Sequence, residues 1–178
     1  SNPNDLVSLL ADIRLVATAT DADGDSATAS LAIGNAFQFA DDAPRIELSG
    51  VGVPTLTVDE STLGSNASAA FADLFDAAFG ADGFLDADDN DVEDAGAVSY
   101  QLQLGNPSSG LIDSLSGDAV LLSLDGSDIV GTAGGQEVLR ISVDAESGVV
   151  SLDQSRAVMH ADPSNPNDLV SLLADIRL

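Results

Sequence analysis

Residues 13–33, with the sequence IRLVATATDADGDSATASLAI, decide the fold of this chain. Apolar and polar side chains alternate on both sides of a turn that contains Gly24, and this period of two predicts two strands joined as a β-hairpin. Asp21, Asp23 and Asp25 in the turn would repel one another as bare anions, but a hard cation can take oxygen ligands from all three. The sequence therefore predicts a β-hairpin with a calcium-binding tip.

The chain is strongly acidic. Its 178 residues include 30 acidic and 5 basic side chains, which gives a formal net charge of −25. Such a surface repels phosphates and anionic lipids, so we expect neither nucleic acid nor an anionic lipid surface as a partner. No stretch approaches a membrane-spanning length, so we expect no membrane insertion. A hydrophobic content of 44% is sufficient for a core, and with no cysteine the core and bound metal must supply the stability. No basic-then-apolar leader opens the sequence, which fits either a cytosolic protein or an interior piece of an exported one.

One segment of the sequence occurs twice. Residues 1–15, SNPNDLVSLLADIRL, recur unchanged as residues 164–178, at an offset of 163 positions. A period of this length is typical of one domain per repeat and is too long for a solenoid unit. We interpret the chain as a slice of a tandem array. A duplication made in cloning is the alternative, but no linker scar precedes the second copy.

Most of the remaining chain predicts strands. Alternating patterns cover residues 98–104, 119–124, 129–132, 137–143 and 149–152. The dipeptide Asp125–Gly126 between two of these segments is a strong hairpin signal. Short strands at this spacing, separated by turn residues, predict an all-β sandwich.

Two segments depart from the alternating pattern. In residues 71–79 the apolar side chains recur at helical spacing, so we predict one short helix or turn that closes an end of the sandwich. Its apolar face would consist of Phe71, Leu74, Phe75, Ala78 and Phe79. Residues 6–10 fit either a helical turn or a buried strand.

The densest acidic run lies between residues 82 and 94. Its carboxylates form either a solvated loop or a second calcium site, and the sequence leaves both interpretations open. In the second case, Asp86 and Asp88 are candidate ligands. Neither this run nor the hairpin turn fits a helix-loop-helix calcium motif, because the sixth position counted from Asp21 is Ser26 rather than glycine.

The sequence gives little support for catalysis. His160 is the only histidine, and no Gly-x-Ser-x-Gly segment presents a serine nucleophile. A single histidine near the end of a strand is usually structural. We therefore predict that the protein is not an enzyme.

Five short motifs occur together in this chain: VATATDADGDSA at residues 16–27, FADDAP at 39–44, VDES at 58–61, FGADG at 79–83 and GTAGGQ at 131–136. In combination they resemble the extender domains, or tandem repeats, of giant bacterial repeats-in-toxin biofilm adhesins that are exported by type I secretion. The acidic stretch at residues 85–94 departs from this pattern, where a shorter loop is expected.

The resemblance implies an immunoglobulin-like β-sandwich with calcium-binding loops, located outside the cell on the bacterial surface. It implies a structural role, in which calcium ions at the domain junctions stiffen a string of repeats and project the binding region of the adhesin. The candidate ligands carried over are Asp21, Asp23, Asp25, Asp41, Asp42, Asp59, Glu60 and Asp82. The alternative function is a calcium-dependent module that itself binds a sugar or another surface.

Residues 41–45, with Pro44 in a bend, predict a domain junction. Residues 1–43 would then be the C-terminal strands of one repeat, and residues 44–178 most of the following repeat without its last hairpin. A sandwich without that hairpin has an open edge. We predict that residues 12–40 of a neighbouring molecule complete it head to tail by strand addition, so that the partners are identical repeats. The sequence does not decide whether residues 1–40 pack within the chain or against another copy.

Overall fold

The structure is a computed structural model that describes residues 6–8, 11–162, 164–165 and 168–178. Its strands are β1 (Leu6–Ser8), β2 (Arg14–Thr20), β3 (Ser26–Ala32), β4 (Gln38–Ala40), β5 (Arg45–Leu48), β6 (Ala67–Ala70), β7 (Phe75–Ala78), β8 (Gln103–Leu104), β9 (Ser108–Ile112), β10 (Ala119–Asp125), β11 (Asp128–Ala133), β12 (Gln136–Val143), β13 (Val149–Gln154) and β14 (Ile176–Arg177). Helical structure in this part of the chain is confined to three-residue 3-10 turns at Gly34–Ala36, Glu60–Thr62, Ala72–Leu74 and Gly80–Asp82. The predicted all-β class is confirmed.

The chain divides into two compact units. The first consists of Ser1–Arg45 and Ala78–Gly83, and the second of Ile46–Ala77 and Phe84–Leu178.

The first unit contains two antiparallel strand pairs. β2 and β3 form the predicted hairpin, in which Arg14 lies opposite Ala32 and Thr20 lies opposite Ser26. β1 pairs with β4, with Leu6 opposite Ala40. Residues 6–8 are therefore a strand rather than a helical turn, but the strand is not buried as that interpretation had it, because Leu6 and Val7 are 61% and 64% exposed. Residues 9 and 10 lie outside the described part.

The second unit is built on a six-stranded antiparallel sheet in the order β6-β13-β12-β11-β10-β9. β10 and β11 form a hairpin across the predicted turn, with Asp125 opposite Asp128. Two further strand pairs, β5 with β7 and β8 with β14, lie outside this sheet. The curled multi-strand sheet is consistent with the predicted β-sandwich.

The core lies on one face of the six-stranded sheet. Period-two alternation places Val120 and Leu122 of β10 on that face, where they are 1% and 3% exposed, and Ile129 and Val138 are fully buried there. The opposing layer comes from side chains outside the sheet, which pack against this cluster: Leu56, Phe71, Leu104, Leu172, Ala174, Ile176 and Leu178. The second copy of the repeated segment therefore contributes to the core.

Of the short helix or turn predicted for residues 71–79, the structure has a turn and not a helix over the whole segment. These residues form a 3-10 turn, the strand β7 and the beginning of a second 3-10 turn. The backbone makes long-range contacts that a helix would exclude, because Phe71 N donates to Gly148 O at 3.0 Å and Ser49 N donates to Leu74 O at 2.9 Å. The apolar residues of this turn and the strand after it happen to recur at helical spacing in the sequence. Hydrogen bonds to distant parts of the chain decided the backbone conformation instead.

The strand predicted for residues 98–104 is shortened to β8, Gln103–Leu104. β8 pairs only with the two residues of β14, so that Ile176 lies opposite Leu104 and Arg177 lies opposite Gln103. Residues 98–102 keep the alternating burial of a strand, with Leu102 at 8% exposure. Strand assignment requires a partner, and β14 supplies one for two residues only.

One ion pair of the second unit is anchored in the interior. Arg156 Nε donates to Asp113 Oδ1 at 3.0 Å and Arg156 Nη2 donates to Asp113 Oδ2 at 2.8 Å. The Asp113 side chain is fully buried, and Ser116 N donates to its Oδ2 at 2.9 Å. The guanidinium of Arg156 and the Ser116 hydrogen bonds hold the pKa of Asp113 well below its usual range.

Candidate functional site

The turn of the β2–β3 hairpin gathers three carboxylates. Oxygen atoms of Asp21, Asp23 and Asp25 lie within 4.8 Å of one another, and all three residues are exposed. Asp21 N donates to Asp25 O at 2.9 Å and Asp25 N donates to Asp21 Oδ1 at 2.9 Å, so the turn is closed from both sides. Gly24 has φ +98°, a conformation that glycine adopts without strain. The predicted hairpin tip therefore exists as a group of converging oxygen atoms.

Hydrogen bonds lower the pKa of Asp21. The largest cause is the hydrogen bond with the Asp23 side chain, and the backbone N–H of Asp25 adds to it.

The second carboxylate group lies in the loop at residues 86–94. Oxygen atoms of Asp86, Asp88 and Asp94 lie within 4.8 Å of one another, and Asp86 and Asp94 are half-buried. Asp86 accepts hydrogen bonds from Asn90 N at 3.1 Å and Asp91 N at 2.9 Å. Asp94 Oδ2 accepts a hydrogen bond from Ala87 N at 2.6 Å, which closes the loop.

Backbone N–H groups that donate to Asp86 and Asp94 close this loop, and both interpretations of the acidic run, a solvated loop and a second calcium site, stay predictions. The backbone N–H of Asn90 lowers the pKa of Asp86. Asp94, which completes the group, is the residue that sequence reasoning missed among the candidate ligands. Its separation of eight positions from Asp86 has no signature that singles it out from the other acidic residues of the run.

Asp41, Asp42 and Asp82 lie in the first unit. Asp42 Oδ2 accepts a hydrogen bond from Ala81 N at 3.2 Å, and Asp42 N donates to Asp41 Oδ1 at 3.1 Å. A Cβ atom added to Gly80 would lie 2.7 Å from Asp42 Oδ2, so the carboxylate reaches the backbone at residues 80–82. Among the described residues, these three carboxylates do not form a converging group of the kind found at the hairpin tip.

Asp59 and Glu60 have structural partners in the second unit. Asp59 Oδ1 accepts from both the backbone and the hydroxyl of Ser61, which lowers its pKa. Glu60 Oε1 accepts hydrogen bonds from Gln154 Nε2 at 2.8 Å and Val158 N at 2.7 Å. Glu60 therefore links the end of β13 to Val158. Among the described residues, neither Asp59 nor Glu60 belongs to a group of three converging carboxylates.

The donor chemistry of the two groups fits calcium. Both offer only carboxylate oxygen, which hard cations prefer, and neither contains the nitrogen or sulfur ligands typical of zinc. Three carboxylates supply up to about six oxygen atoms, and calcium takes roughly six to eight, including backbone carbonyls and water. The hairpin tip and the loop at residues 86–94 are therefore the candidate calcium-binding groups.

His160 has one acidic neighbour. Its Nε2 lies 3.4 Å from Glu60 Oε1, and its buried Nδ1 has no hydrogen-bond partner in the described part of the chain. Glu60 Oε1 also accepts the hydrogen bonds from Gln154 and Val158, so the His160 contact lies beside the end of β13.

Two open grooves lie on the second unit. One, of ≈ 350 Å³, is lined by Glu93, Asp94, Ala95, Gly96, Val98, Tyr100 and Glu146. The other, of ≈ 630 Å³, is lined by Gln101, Leu102, Gln103, Leu104, Leu124, Gly126 and Ser127. The first joins an aromatic ring to carboxylates, and the second is a partly apolar groove beside β8.

Comparisons with known proteins give one match. A family model described as "Domain of unknown function (DUF5801)" matches residues 55–178. No curated protein and no solved structure matches the chain. Within the described residues, no helix is both long and apolar enough to cross a membrane.

Proposed function

The chain belongs to the DUF5801 family, a domain of unknown function, and we propose that its function is that of a structural, calcium-stiffened spacer. In this proposal it is one unit of a tandem array that projects the binding region of an adhesin from the bacterial surface. It acts outside the cell, has no enzymatic activity, and has identical repeats as its neighbours.

The observation that carries the proposal is the grouping of carboxylates at two places in a chain whose net charge is −25. Without cations, such groups repel one another and favour open conformations. A calcium ion removes the repulsion and ties its ligands together, so ion binding stabilises the ordered form by mass action. Extracellular calcium modules bind at about 10⁻⁴–10⁻³ M, so a medium with about 1 mM calcium would keep roughly half to nine-tenths of such sites filled.

The exact repetition of residues 1–15 as residues 164–178 supports the array. A spacer needs length rather than variety, so near-identical units in series suit a structural role. A ligand-binding module gains less from such repetition. Asp41 and Asp42, at the predicted junction, are the residues through which calcium would stiffen the connection between repeats.

Small-angle scattering of a chain with several repeats tests this function. In about 1 mM calcium we expect a rod whose maximum dimension grows in proportion to the number of repeats, and chelation should shorten and broaden the distribution of dimensions. Magnesium at the same concentration is the control for simple charge screening. Dimensions that are identical with calcium, with chelator and with magnesium would contradict the proposal.

The ≈ 350 Å³ groove favours a second candidate function, a calcium-dependent module that binds a sugar or another surface. Tyr100 offers an aromatic face there, and Asp94 belongs both to the groove and to a candidate calcium group. A glycan array probed in calcium and in chelator separates the two functions, because a pure spacer binds no glycan in either condition.

We also propose that neighbouring copies associate head to tail by strand addition. The hairpin of one copy would supply strands to the following unit, so that the array is held by sheet pairing as well as by calcium. This association concerns copies of the chain, and nucleic acid is not among the proposed partners.

A further inference from the structure

One face of the β2–β3 hairpin is apolar and exposed. Leu15 lies opposite Leu31, Ala17 opposite Ala29 and Ala19 opposite Ala27, and residues that face each other at alternate positions share one side of a sheet. Leu15 is 61% exposed and Leu31 is 67% exposed. The opposite side carries mostly polar residues, among them Thr18 and Thr28.

The second copy of the repeated segment shows what binds this sequence. Ile176 and Leu178 are the counterparts of Ile13 and Leu15 in the two identical segments. Both pack against the core of the second unit, and Ile176 lies opposite Leu104 on β8. In the first copy the same segment continues into the rest of β2 and then into β3. Among the described strands, β2 and β3 pair only with each other.

Continued residue by residue, the pairing of β14 with β8 places β2 along residues 98–102. In this register Leu15 lies opposite Leu102, Ala17 lies opposite Tyr100, and Ala19 lies opposite Val98. These three partners are the inward-facing positions: Leu102 is buried, and Tyr100 and Val98 are half-buried. The alternate positions Ser99 and Gln101 are exposed. One register therefore brings Leu15, Ala17 and Ala19 of β2 to inward positions, while Val16 stays on the outward side with Thr18.

The backbone N–H and C=O groups of residues 99–105 are oriented as this pairing requires. Gly105 N donates to Asp175 O at 2.7 Å, so odd-numbered residues direct their backbone groups toward β14. Tyr100 N donates to Ala145 O at 3.0 Å, on the other side, as the alternation along a strand requires. Ser99 and Gln101 consequently direct their backbone groups to the edge along which β14 would extend.

The core of the second unit is open beside this edge. Leu124 continues the core-facing series of Val120 and Leu122 on β10, yet it is 56% exposed. It lines the ≈ 630 Å³ groove together with Leu102 and Leu104. An apolar sheet face laid over this groove would cover these side chains.

We propose that the β2–β3 hairpin of a second copy of this chain takes the place of residues 176–178 on β8 and binds the edge at residues 98–104, with Ala17 opposite Tyr100 and the apolar hairpin face on the open core. Because residues 13–15 are identical to residues 176–178, the pairs that β14 loses are formed again by the second copy, and the pairs along residues 98–101 are added. The inference rests on the association between copies proposed above and adds the face and the register. It does not depend on calcium. A contact between unlike surfaces repeats from copy to copy, so association continues into longer chains or closes into rings.

Light scattering on the chain over a range of concentrations measures this association. We expect mass to rise with concentration, and the variant Ala17→Asp to weaken association by about tenfold or more because it buries a charge. The matched control Thr18→Asp adds the same charge to the other face of the same strand and should change association by less than about twofold. A monomer at all concentrations, or equal effects of the two variants, would overturn the proposal.

Disulfide formation tests the register, because the chain contains no cysteine. Thr18→Cys in one molecule should form a heterodisulfide with Ser99→Cys in another, since directly opposite residues lie about 5 Å apart. Gln103→Cys is the matched control, roughly 13 Å further along the same edge and beyond disulfide reach. Equal yields would overturn the register, and a disulfide within one chain in the Thr18→Cys/Ser99→Cys double variant would overturn the binding to a second copy. Neither outcome affects the scattering test of the calcium-stiffened spacer.

Discussion

Ile176 lies directly opposite Leu104 in the antiparallel pair of β14 and β8. Ile13 occupies the same position of an identical segment, yet its carbonyl oxygen accepts a hydrogen bond from Ile33 N at 2.8 Å within the first unit. Two copies of one sequence thus have different neighbours. This difference is the basis for the proposed binding of the longer strand along the edge of β8.

A chain that carries a second copy of residues 16–33 directly after Leu178 should complete its own second unit. We expect a higher melting temperature than that of the original chain, because the added strands cover Leu102, Leu104 and Leu124. Residues 98–104 should also become protected from amide hydrogen exchange. The same addition with aspartate at the position that corresponds to Ala17 is the control, and equal stabilisation by both would contradict the pairing.

Calcium binding should depend on the loop group. Asp94→Asn removes one ligand from the group of Asp86, Asp88 and Asp94, so we expect the loss of about one bound calcium per chain or a fall in its affinity of about tenfold. Asp73→Asn removes the same charge at an exposed residue outside both groups. Isothermal titration calorimetry measures both variants, and an equal loss in the two would indicate diffuse charge binding rather than a site.

Stability should fall in acid through the ion pair of Asp113 and Arg156. The folded-state pKa of Asp113 is lowered from the ordinary 3.8 because Arg156 and Ser116 bind the ionised form. The pair therefore stabilises the fold above that ordinary value, and the contribution is lost as the pH falls below it toward the folded-state pKa.

Asp113→Asn should lower the free energy of unfolding near neutral pH and flatten its decrease between about pH 4 and pH 2, as followed by urea unfolding. Asp76→Asn, at an exposed residue of β7, should keep the steep decrease of the parent chain. A parent-like slope in Asp113→Asn would show that other carboxylates determine the acid sensitivity.

Gly131→Ala should destabilise the second unit by about 1–3 kcal/mol, the usual cost of overpacking a core. An added Cβ atom would lie 2.9 Å from Leu139 Cγ and 3.0 Å from Val120 Cγ1, so neighbouring side chains must move. Gly52→Ala, where no atom lies within 4 Å of the added Cβ, should leave stability unchanged or raise it by up to about 1 kcal/mol. Chemical denaturation distinguishes the two, and equal stability of both variants would contradict the packing.

Much of the fold follows from local sequence pattern. The β2–β3 and β10–β11 hairpins lie where alternation flanks a glycine-containing turn, because both signals act over a few residues. The group at Asp21, Asp23 and Asp25 was predictable for the same reason, since one turn brings all three together. The segment at residues 71–79 was not, because short apolar runs fit helix and strand equally and distant backbone partners decided between them.

By itself, the sequence determined the all-β class, the hairpin positions, the acidic charge and the repetition of residues 1–15, since each is a property of composition or of neighbouring residues. Only the tertiary structure decided that Asp94 joins Asp86 and Asp88, that Glu60 is occupied by Gln154 and Val158, and that Ile176 and Leu178 pack on a core whose edge continues along residues 98–102. Each of these depends on which residues distant in the chain become neighbours. That outcome is set by the burial of apolar surface over the whole unit, which no local pattern contains.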